Sequence, residues 1–553
     1  MRRLLSLLLA QETIALAAPL VAGLVVATII DRDWSGFLTG ALVLVALPFL
    51  QGLMFWRWEW AQALTAEGDA VARRRRLLAH VLRLPVTWFA VQKSGTLVTR
   101  ATNDLRFLAD HQRVQLEALR GGFVVVISTG VLATQHPLLA VTMVASTVPH
   151  ALDLWLSRRH SDAISSASVD STDAVNEYFR ERLDIMPLTR ASGAAHWEIA
   201  ECTRVIHDRV LQADLRRAAF DARASARSAL VQGLGLITLL LCSGWLIATT
   251  LIGVSGFVMA YGYAARLTSA VNDFSAWRRQ EGEARDRTAR LAALLAEPAE
   301  ASHGIEPPEQ IDELHLCDIT FAYQSGVPVL DRLNLRLRRG ELVAVVGPSG
   351  GGKSTLADLV TGLLSPDRGS IVINGDRSVT TLAGELWRRR VAYAPQFPYF
   401  FTDTLTANLS YGLHRETEPH EIPELAGRLG VTDLVRRAER RDDASLERTS
   451  MSGGQRQRLG LIRTGLRRAP VIAVFDEPTS ALDALTEEHA LSLIAELRHE
   501  APVLLVAHRL TTLRYADRVV VLEHGRIVEE GTPSALAARK GRFAALYDKE
   551  LRP

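Results

Sequence analysis

Cysteine is scarce in this 553-residue chain. There are three, Cys202, Cys242 and Cys317, scattered and without CxxC spacing. That excludes a disulfide framework and a cysteine-built zinc site, and it fits soluble parts that face a reducing cytosol. Net charge is scarce too. Lys and Arg number 63 against 61 Asp and Glu, a balance of +2. No global excess of positive charge points to nucleic acid, and none is expected as a partner. Charge is also missing locally. The first half carries long apolar runs with few charges, whereas the second half reads like a soluble enzyme. The length suggests two or three domains.

The apolar runs are the first positive signal. A membrane helix needs about 20 mostly apolar residues. Residues 13–30 and 36–56 form one pair, separated by the polar turn Asp31-Arg32-Asp33-Trp34-Ser35. Residues 121–133 and 138–156 form a second pair, broken by Thr134-Gln135-His136-Pro137. Proline can open a helix but does not sit freely inside one. Residues 229–271 are long enough for two spans, with a break near Ala248-Thr249-Thr250. Six transmembrane helices are expected. Met1-Arg2-Arg3 and the leucines after it resemble a secretory leader, but the apolar run continues to Ile30 without a small-residue cleavage motif. A retained first membrane helix is the expectation.

Basic residues set the orientation. Arg2, Arg3, Arg73, Arg74, Arg75, Arg76, Arg158 and Arg159 fall on one side of the spans, and Arg32 alone on the other. Both termini are therefore expected in the cytosol. Residues 57–120 and 158–227, rich in Ala, Leu, Arg and Glu, read as membrane helices that continue into the cytosol and turn back. Gly95 marks the expected tip of the first loop and Ser192-Gly193 that of the second. A Pro- and Glu-rich linker at 297–312 separates a membrane domain at 1–296 from a second domain at 313–553. There, short β-branched runs alternate with helical stretches, as in α/β units around a mainly parallel sheet.

That second domain carries the chemistry. Gly347-Pro348-Ser349-Gly350-Gly351-Gly352-Lys353-Ser354-Thr355 fits the phosphate-binding pattern G-x-x-x-x-G-K-[ST]. The apolar run Leu342-Val343-Ala344-Val345-Val346 reads as a strand before it, and Leu356-Ala357-Asp358-Leu359-Val360 as the opening of a helix after it. Glycines let backbone N–H groups point at phosphate oxygens, and the helix N-terminus adds a favourable partial charge. Lys353 is placed to reach the β- and γ-phosphates, and Ser354 to bind Mg²⁺. Further on, Val471-Ile472-Ala473-Val474-Phe475 ends in Asp476-Glu477. A buried strand that delivers two acids to its C-terminal edge suits Asp476 as a Mg²⁺ ligand and Glu477 as general base.

Between these lies Met451-Ser452-Gly453-Gly454-Gln455-Arg456-Gln457-Arg458. With it, nearly the whole chain resembles an ABC transporter of the exporter type, a half-transporter with fused membrane and nucleotide-binding domains. The family signature is Leu-Ser-Gly-Gly-Gln, so Met451 is a mild departure. The resemblance implies further roles. Tyr323 stacks on adenine. Gln396 senses Mg²⁺ and touches the membrane domain. Ser480-Ala481-Leu482-Asp483 communicates between two nucleotide sites. His508 contacts the γ-phosphate. Ser452, Gly453, Gly454 and Gln455 contact ATP held by the opposite subunit. The loop tips near residues 95–104 and 191–204 become coupling helices. The segment 440–449 follows the family pattern only loosely.

The implied fold is a membrane α-helical bundle, six transmembrane helices with long cytosolic extensions, plus an α/β P-loop nucleotide-binding domain. The implied partners are the lipid bilayer and a second half-transporter subunit, identical or different. ATP and Mg²⁺ are the implied cofactors. Three functions stay open: an exporter of a small molecule, lipid or peptide; an importer on the same scaffold; and a non-transporting ABC ATPase, which six spans oppose. The cargo is not encoded. Gln51, His150, Gln232, Trp245, Tyr261 and Tyr263 are polar or aromatic candidates within the spans.

Overall fold

The computed structural model describes residues 2–91, 94–156, 158–300, 304–323, 326–379, 382, 384–439, 451–539 and 541–551. The loosely matching segment 440–449 lies outside them. The chain divides into two compact units, one of Met1–Arg83 with Gln92–Pro298, the other of Leu84–Val91 with Ala299–Pro553.

The first unit is helical throughout. Arg2–Ile30 and Trp34–Val81 are joined by a tight turn in which Arg32 adopts a left-handed φ of 58°. Asp33 caps the second helix by accepting from the Ser35 and Gly36 amides. Leu105–Gln135 and Pro137–Leu156 meet at His136, and Pro137 opens the latter as its first residue. Gln212–Ala248 and Val254–Ala296 flank a five-residue break at 249–253. All six apolar stretches are thus helical. Among the described residues, four helices are long and apolar enough by themselves to cross a bilayer: Ser6–Ile30, Trp34–Val81, Leu97–Gln135 and Ala195–Ala248, with mean hydropathies of 2.4, 2.0, 1.6 and 2.0. Pro137–Pro149 is a shorter apolar helix. Val254–Ala296 is diluted by Arg266, Asn272 and Asp273 along its length.

The apolar pattern is inverted relative to a soluble protein. Leu38, Leu42, Val45, Phe49, Leu53, Trp56 and Trp60 on the second helix are all exposed. A bilayer rather than water is the solvent for such a face. Inside the bundle, small residues let helices approach. A Cβ on Gly121 would sit 2.9 Å from the Ala270 carbonyl oxygen, and one on Gly262 would sit 2.7 Å from Pro19 Cβ. Tyr263, fully buried, donates its hydroxyl to the Leu16 carbonyl at 2.8 Å.

Trp34–Val81 has 48 residues. At 1.5 Å per residue it runs about 70 Å, more than twice the roughly 30 Å apolar core of a bilayer. Its extension ends at Leu82, and a short helix Val86–Val91 follows Pro85. The turn expected at Gly95 therefore comes earlier. The run Leu82-Arg83-Leu84-Pro85 breaks the helix because the residue before proline is pushed out of the α region. Gly95 itself lies in the next short helix, Ser94–Thr99. The second turn falls where glycine asked for it: Gly193 has φ +65° between Met186–Ala191 and Ala195–Val205.

The second unit is built on two sheets. Strands β1 (Glu313–Phe321), β2 (Leu330–Arg338), β4 (Arg368–Ile373) and β5 (Arg377–Ser378) form an antiparallel sheet in the order β2-β1-β4-β5. Strands β3 (Leu342–Val346), β6 (Val391–Ala394), β7 (Ile472–Asp476), β8 (Val503–Val506), β9 (Arg518–Glu523) and β10 (Arg526–Gly531) form the other, in the order β10-β9-β3-β8-β7-β6. Its β9-β3-β8-β7-β6 part is parallel. Strands buried on both faces read as unbroken apolar runs. Alternate side chains divide between two cores. Leu342, Ala344, Val346, Ala473, Phe475, Val503 and Leu505 face one, whereas Val343, Val345, Ile472, Val474, Leu504 and Val506 face the other with β1, β2 and β4.

Candidate nucleotide site

β3 runs straight into the phosphate loop. Gly347, Gly350 and Gly352 have φ of 152°, 80° and 95°, values that L side chains rarely adopt. A Cβ on Gly347 would lie 2.0 Å from the Leu522 carbonyl oxygen, so the turn has no room for one. Gly351 is buried, and Ser349 precedes Gly350 at the exposed crest of the loop. The helix Lys353–Val360 follows at once. Lys353 is buried and donates from Nζ to the carbonyls of Gly347 at 2.9 Å and Pro348 at 3.0 Å. Burial pulls its pKa down, against the pull of Glu477 and Asp476 in the other direction. A cation held only by neutral carbonyls of its own loop can exchange onto an anionic oxygen, which is a stronger acceptor.

Parallel β7 ends beside it. Asp476 is buried, and one of its oxygens, Oδ1, has no hydrogen-bond partner. Burial raises its pKa, a hydrogen bond from Ser354 lowers it, and the Glu477 charge raises it again. An orphaned buried carboxylate oxygen next to the Ser354 hydroxyl is the donor set a hard cation takes. Mg²⁺ fits these residues. Among the described residues no group of three or more His, Cys, Asp or Glu is arranged to hold a metal. The remaining ligands would have to come from phosphate and water.

Glu477 follows with φ +47°, a left-handed conformation unusual for a long side chain. Its carboxylate is gripped from both sides. Gln396 Nε2 donates to Oε2 at 2.8 Å, and His508 Nε2 lies 2.7 Å from Oε1. Gln396 comes two residues after β6, and His508 two residues after β8. Three strand ends thus aim three side chains at one point. Two more groups surround the Asp476 side. Asp358 has its pKa pushed up to about 6, by burial first and by Asp476 second. Tyr393 donates to Asp358 at 3.4 Å.

Tyr323 stands at the rim, 52% exposed, its hydroxyl 3.3 Å from Thr355 Oγ1 and its ring packed edge-on against Phe321. Here the structure assembles Tyr323, the phosphate loop, Gln396, Asp476, Glu477 and His508 in one place.

The signature stands apart from that cluster. Ser452 caps the helix Gly453–Gly465 by accepting from the Gln455 amide, and the Gln455 side chain accepts from the Ser452 amide in return. Gly454 lies against the Ala481 carbonyl, 2.8 Å from where its Cβ would be. Asp483 caps the helix Ala484–Glu496 through the Thr486 amide, which also depresses its pKa. No hydrogen bond among the described residues joins Ser452, Gly453, Gly454, Gln455 or Asp483 to the phosphate loop. Ser452 and Gly453, at the N-terminus of their helix, are exposed.

Sequence reasoning missed the residue that ties these parts together. Gln457, buried, donates from Nε2 to the Glu477 carbonyl at 3.0 Å and to Ser480 Oγ at 2.7 Å, and accepts from the Ala481 amide at 2.8 Å. Glu487 was missed too. This buried acid collects Thr479, Thr512 and Arg509. No local signal marks either one, since every partner is remote in sequence.

Comparison with known proteins decides the family. The description "ABC transporter" matches residues 330–480, and "ABC transporter transmembrane region" matches residues 4–271. The ATP-dependent lipid A-core flippase of Thiobacillus denitrificans is 30% identical over 521 residues, covering 92% of this chain and 88% of the flippase. The chain belongs to the ABC transporters. The flippase of the same name from Nitrosococcus oceani is 26% identical over 550 residues, covering 97% and 90% of the two chains. A bacterial Atm1-family ABC exporter solved with ATP bound superposes with a TM-score of 0.90 over 100% of this chain and 98% of that one, at 20% identity. The transporter is therefore a multi-pass membrane protein with a fused ATP-binding domain, an ATPase coupled to transport.

Among the candidate cargo residues, Trp245 and Tyr261 are exposed, and Gln232 donates to Asn272 at 3.0 Å. Tyr263 is committed to helix packing. The side chain of His150 lies outside the described residues.

Proposed function

We propose that this transporter is half of an exporter that carries a lipid or a small amphipathic molecule out of the cytosol, with its nucleotide sites completed by a second subunit. The observation that carries the ATPase half is the grip of Gln396 and His508 on Glu477 beside the phosphate loop. A carboxylate fixed by two neighbours is in position to accept a proton from an attacking water. Lys353 reaches the phosphates once they displace the Gly347 and Pro348 carbonyls. Tyr323 supplies the adenine platform. Ser354 and Asp476 would hold Mg²⁺, with Gln396 adjoining. When bound, the ion would neutralise charge on the phosphate oxygens.

Dimerisation is favoured by the exposed Ser452 and Gly453 of the signature. Ser452, Gly453, Gly454, Gln455 and Asp483 would meet the ATP of the partner. ATP would then close the two cassettes on each other, and hydrolysis would release them. Export is favoured by the relatives named as flippases, and cytosolic termini by the arginines that flank the spans on one side. The boundaries 1–296, 297–312 and 313–553 are our proposed domain limits.

Inside-out vesicles carrying the chain provide the test. A short-chain fluorescent phospholipid added outside is expected to become protected in the lumen on addition of Mg²⁺ and ATP, but not with Glu477→Gln. Movement in the opposite direction would make the transporter an importer. Failure of every lipid, with ATP turnover stimulated by a soluble amphiphile, would make the cargo a small molecule.

A further inference from the structure

Among its described residues the second unit has a concavity that the nucleotide chemistry does not use. It has a volume of about 350 Å³, and its charged and titratable lining is Arg389, Arg390, His414, Arg415, Arg467 and Arg468 with one acid, Glu306. Arg389 and Arg390 immediately precede β6, and Arg467 and Arg468 lie just before β7. Gln396 and Asp476 belong to the opposite ends of those two strands. The pocket therefore sits at the sheet edge away from the nucleotide, roughly 13 Å off by the length of a four-residue strand.

Each arginine is anchored on one side. Arg467 Nη1 donates to the Arg389 carbonyl at 2.7 Å, and Arg390 Nη2 to the Glu309 carbonyl at 2.7 Å. Arg415 bonds Glu421 and the Leu466 carbonyl, Arg468 pairs with Glu421, and Arg389 with Glu385. Glu421 is thus shared by two arginines. Among the described residues, neither Arg390 nor Arg467 has a carboxylate within ion-pair distance. Arg467 is half-buried, and burial pushes its pKa below the usual arginine range. A guanidinium has five donors, so Arg389, Arg390, Arg467 and Arg468 keep N–H groups to spare, whereas Arg415, which also donates to the Glu416 carbonyl, is nearly saturated. A concave set of arginines already fixed in place, with more positive charge than its acids neutralise, matches the planar and bidentate needs of phosphate.

We propose that this pocket is a second anion site of the cassette, which binds the phosphoryl group of a lipid headgroup or of a soluble phosphate compound. A bound anion would bridge the chain segment leading to Gln396 and the segment following the signature helix. It is thereby placed to couple phosphate availability to the two elements that flank the ATP.

The full-length chain in nanodiscs tests this by titration calorimetry with pyrophosphate. The nucleotide site is first saturated with a non-hydrolysable ATP analogue. In zwitterionic lipid, one saturable event per chain is expected, weakened at least tenfold by the double variant Arg389→Gln/Arg468→Gln. Both side chains are substantially exposed, so the variant should fold, and its unchanged affinity for the ATP analogue checks that. Discs containing phosphatidylglycerol separate the two sources. Pyrophosphate binding lost there assigns the pocket to lipid phosphate, and binding retained there assigns it to a soluble one. No saturable binding in either lipid, or binding indifferent to the double variant, would overturn the proposal and leave a solvated basic face.

Discussion

Replacing Gln457 with alanine removes one buried amide and three hydrogen bonds, to the Glu477 carbonyl, Ser480 Oγ and the Ala481 amide. Ser480 and Ala481 are both exposed and can turn to water, and the Glu477 carbonyl keeps the Ser480 amide at 3.4 Å. An unsatisfied buried group costs about 1–3 kcal/mol, and with these partners retained the loss is about 1–2 kcal/mol. For a domain of this size, each kcal/mol moves the melting temperature by about 2–4 °C, so the cassette transition should fall by about 2–8 °C. Scanning calorimetry of the purified transporter measures it. ATP turnover at a temperature well below melting should also fall, because Gln457 fixes the backbone of the proposed general base, Glu477. A loss of less than about 2 °C, with normal turnover, would refute the reasoning and make Gln457 a passive filler.

Three other outcomes are expected. Gly347→Ala should abolish ATP binding in a filter or fluorescence assay, since its Cβ would fall 2.0 Å from the Leu522 carbonyl oxygen. Arg287→Ala should destabilise the helical unit by about 3–5 kcal/mol, read by thermal unfolding, because Arg287 pairs with the buried carboxylates of Asp104 at 2.5 Å and Glu283 at 2.7 Å. Asp358→Asn should stabilise the nucleotide-free protein in EDTA at pH 7.5. The Asp358 pKa is raised from 3.8 to about 6 in the folded state, so folding favours the protonated form. Its ionisation therefore costs stability fully above pH 6 and not below pH 3.8. The gain in melting temperature should shrink as the pH is lowered through that window.

The phosphate loop was legible in the sequence because its chemistry is local: glycines that need positive φ, one lysine and one serine, between an apolar strand and a helix. Asp476 and Glu477 were legible because a five-residue apolar strand ends in them. The helix pairs were legible because a bilayer demands long apolar runs. What failed was remote or subtle. Gly95 drew the first loop tip, yet Pro85 broke the helix earlier. The antiparallel sheet of β1, β2, β4 and β5 was not anticipated, because its strands alternate apolar with charged residues and resemble ordinary surface. Gln457 and Glu487 looked like polar helix residues, and only the fold carries them inside. The arginines of the second pocket come from three segments, each of which alone reads as a charged face.

The central claim is an ATPase centred on Glu477, with its nucleotide sites completed by a second subunit, identical or different. ATP turnover of the purified protein in lipid, measured beside Glu477→Gln at equal folded concentration, tests it most directly. The account predicts Mg²⁺-dependent turnover that the substitution reduces to background while ATP still binds. Turnover indifferent to Glu477→Gln would contradict it, and a folded wild-type chain that binds ATP without hydrolysing it would require a different partner subunit.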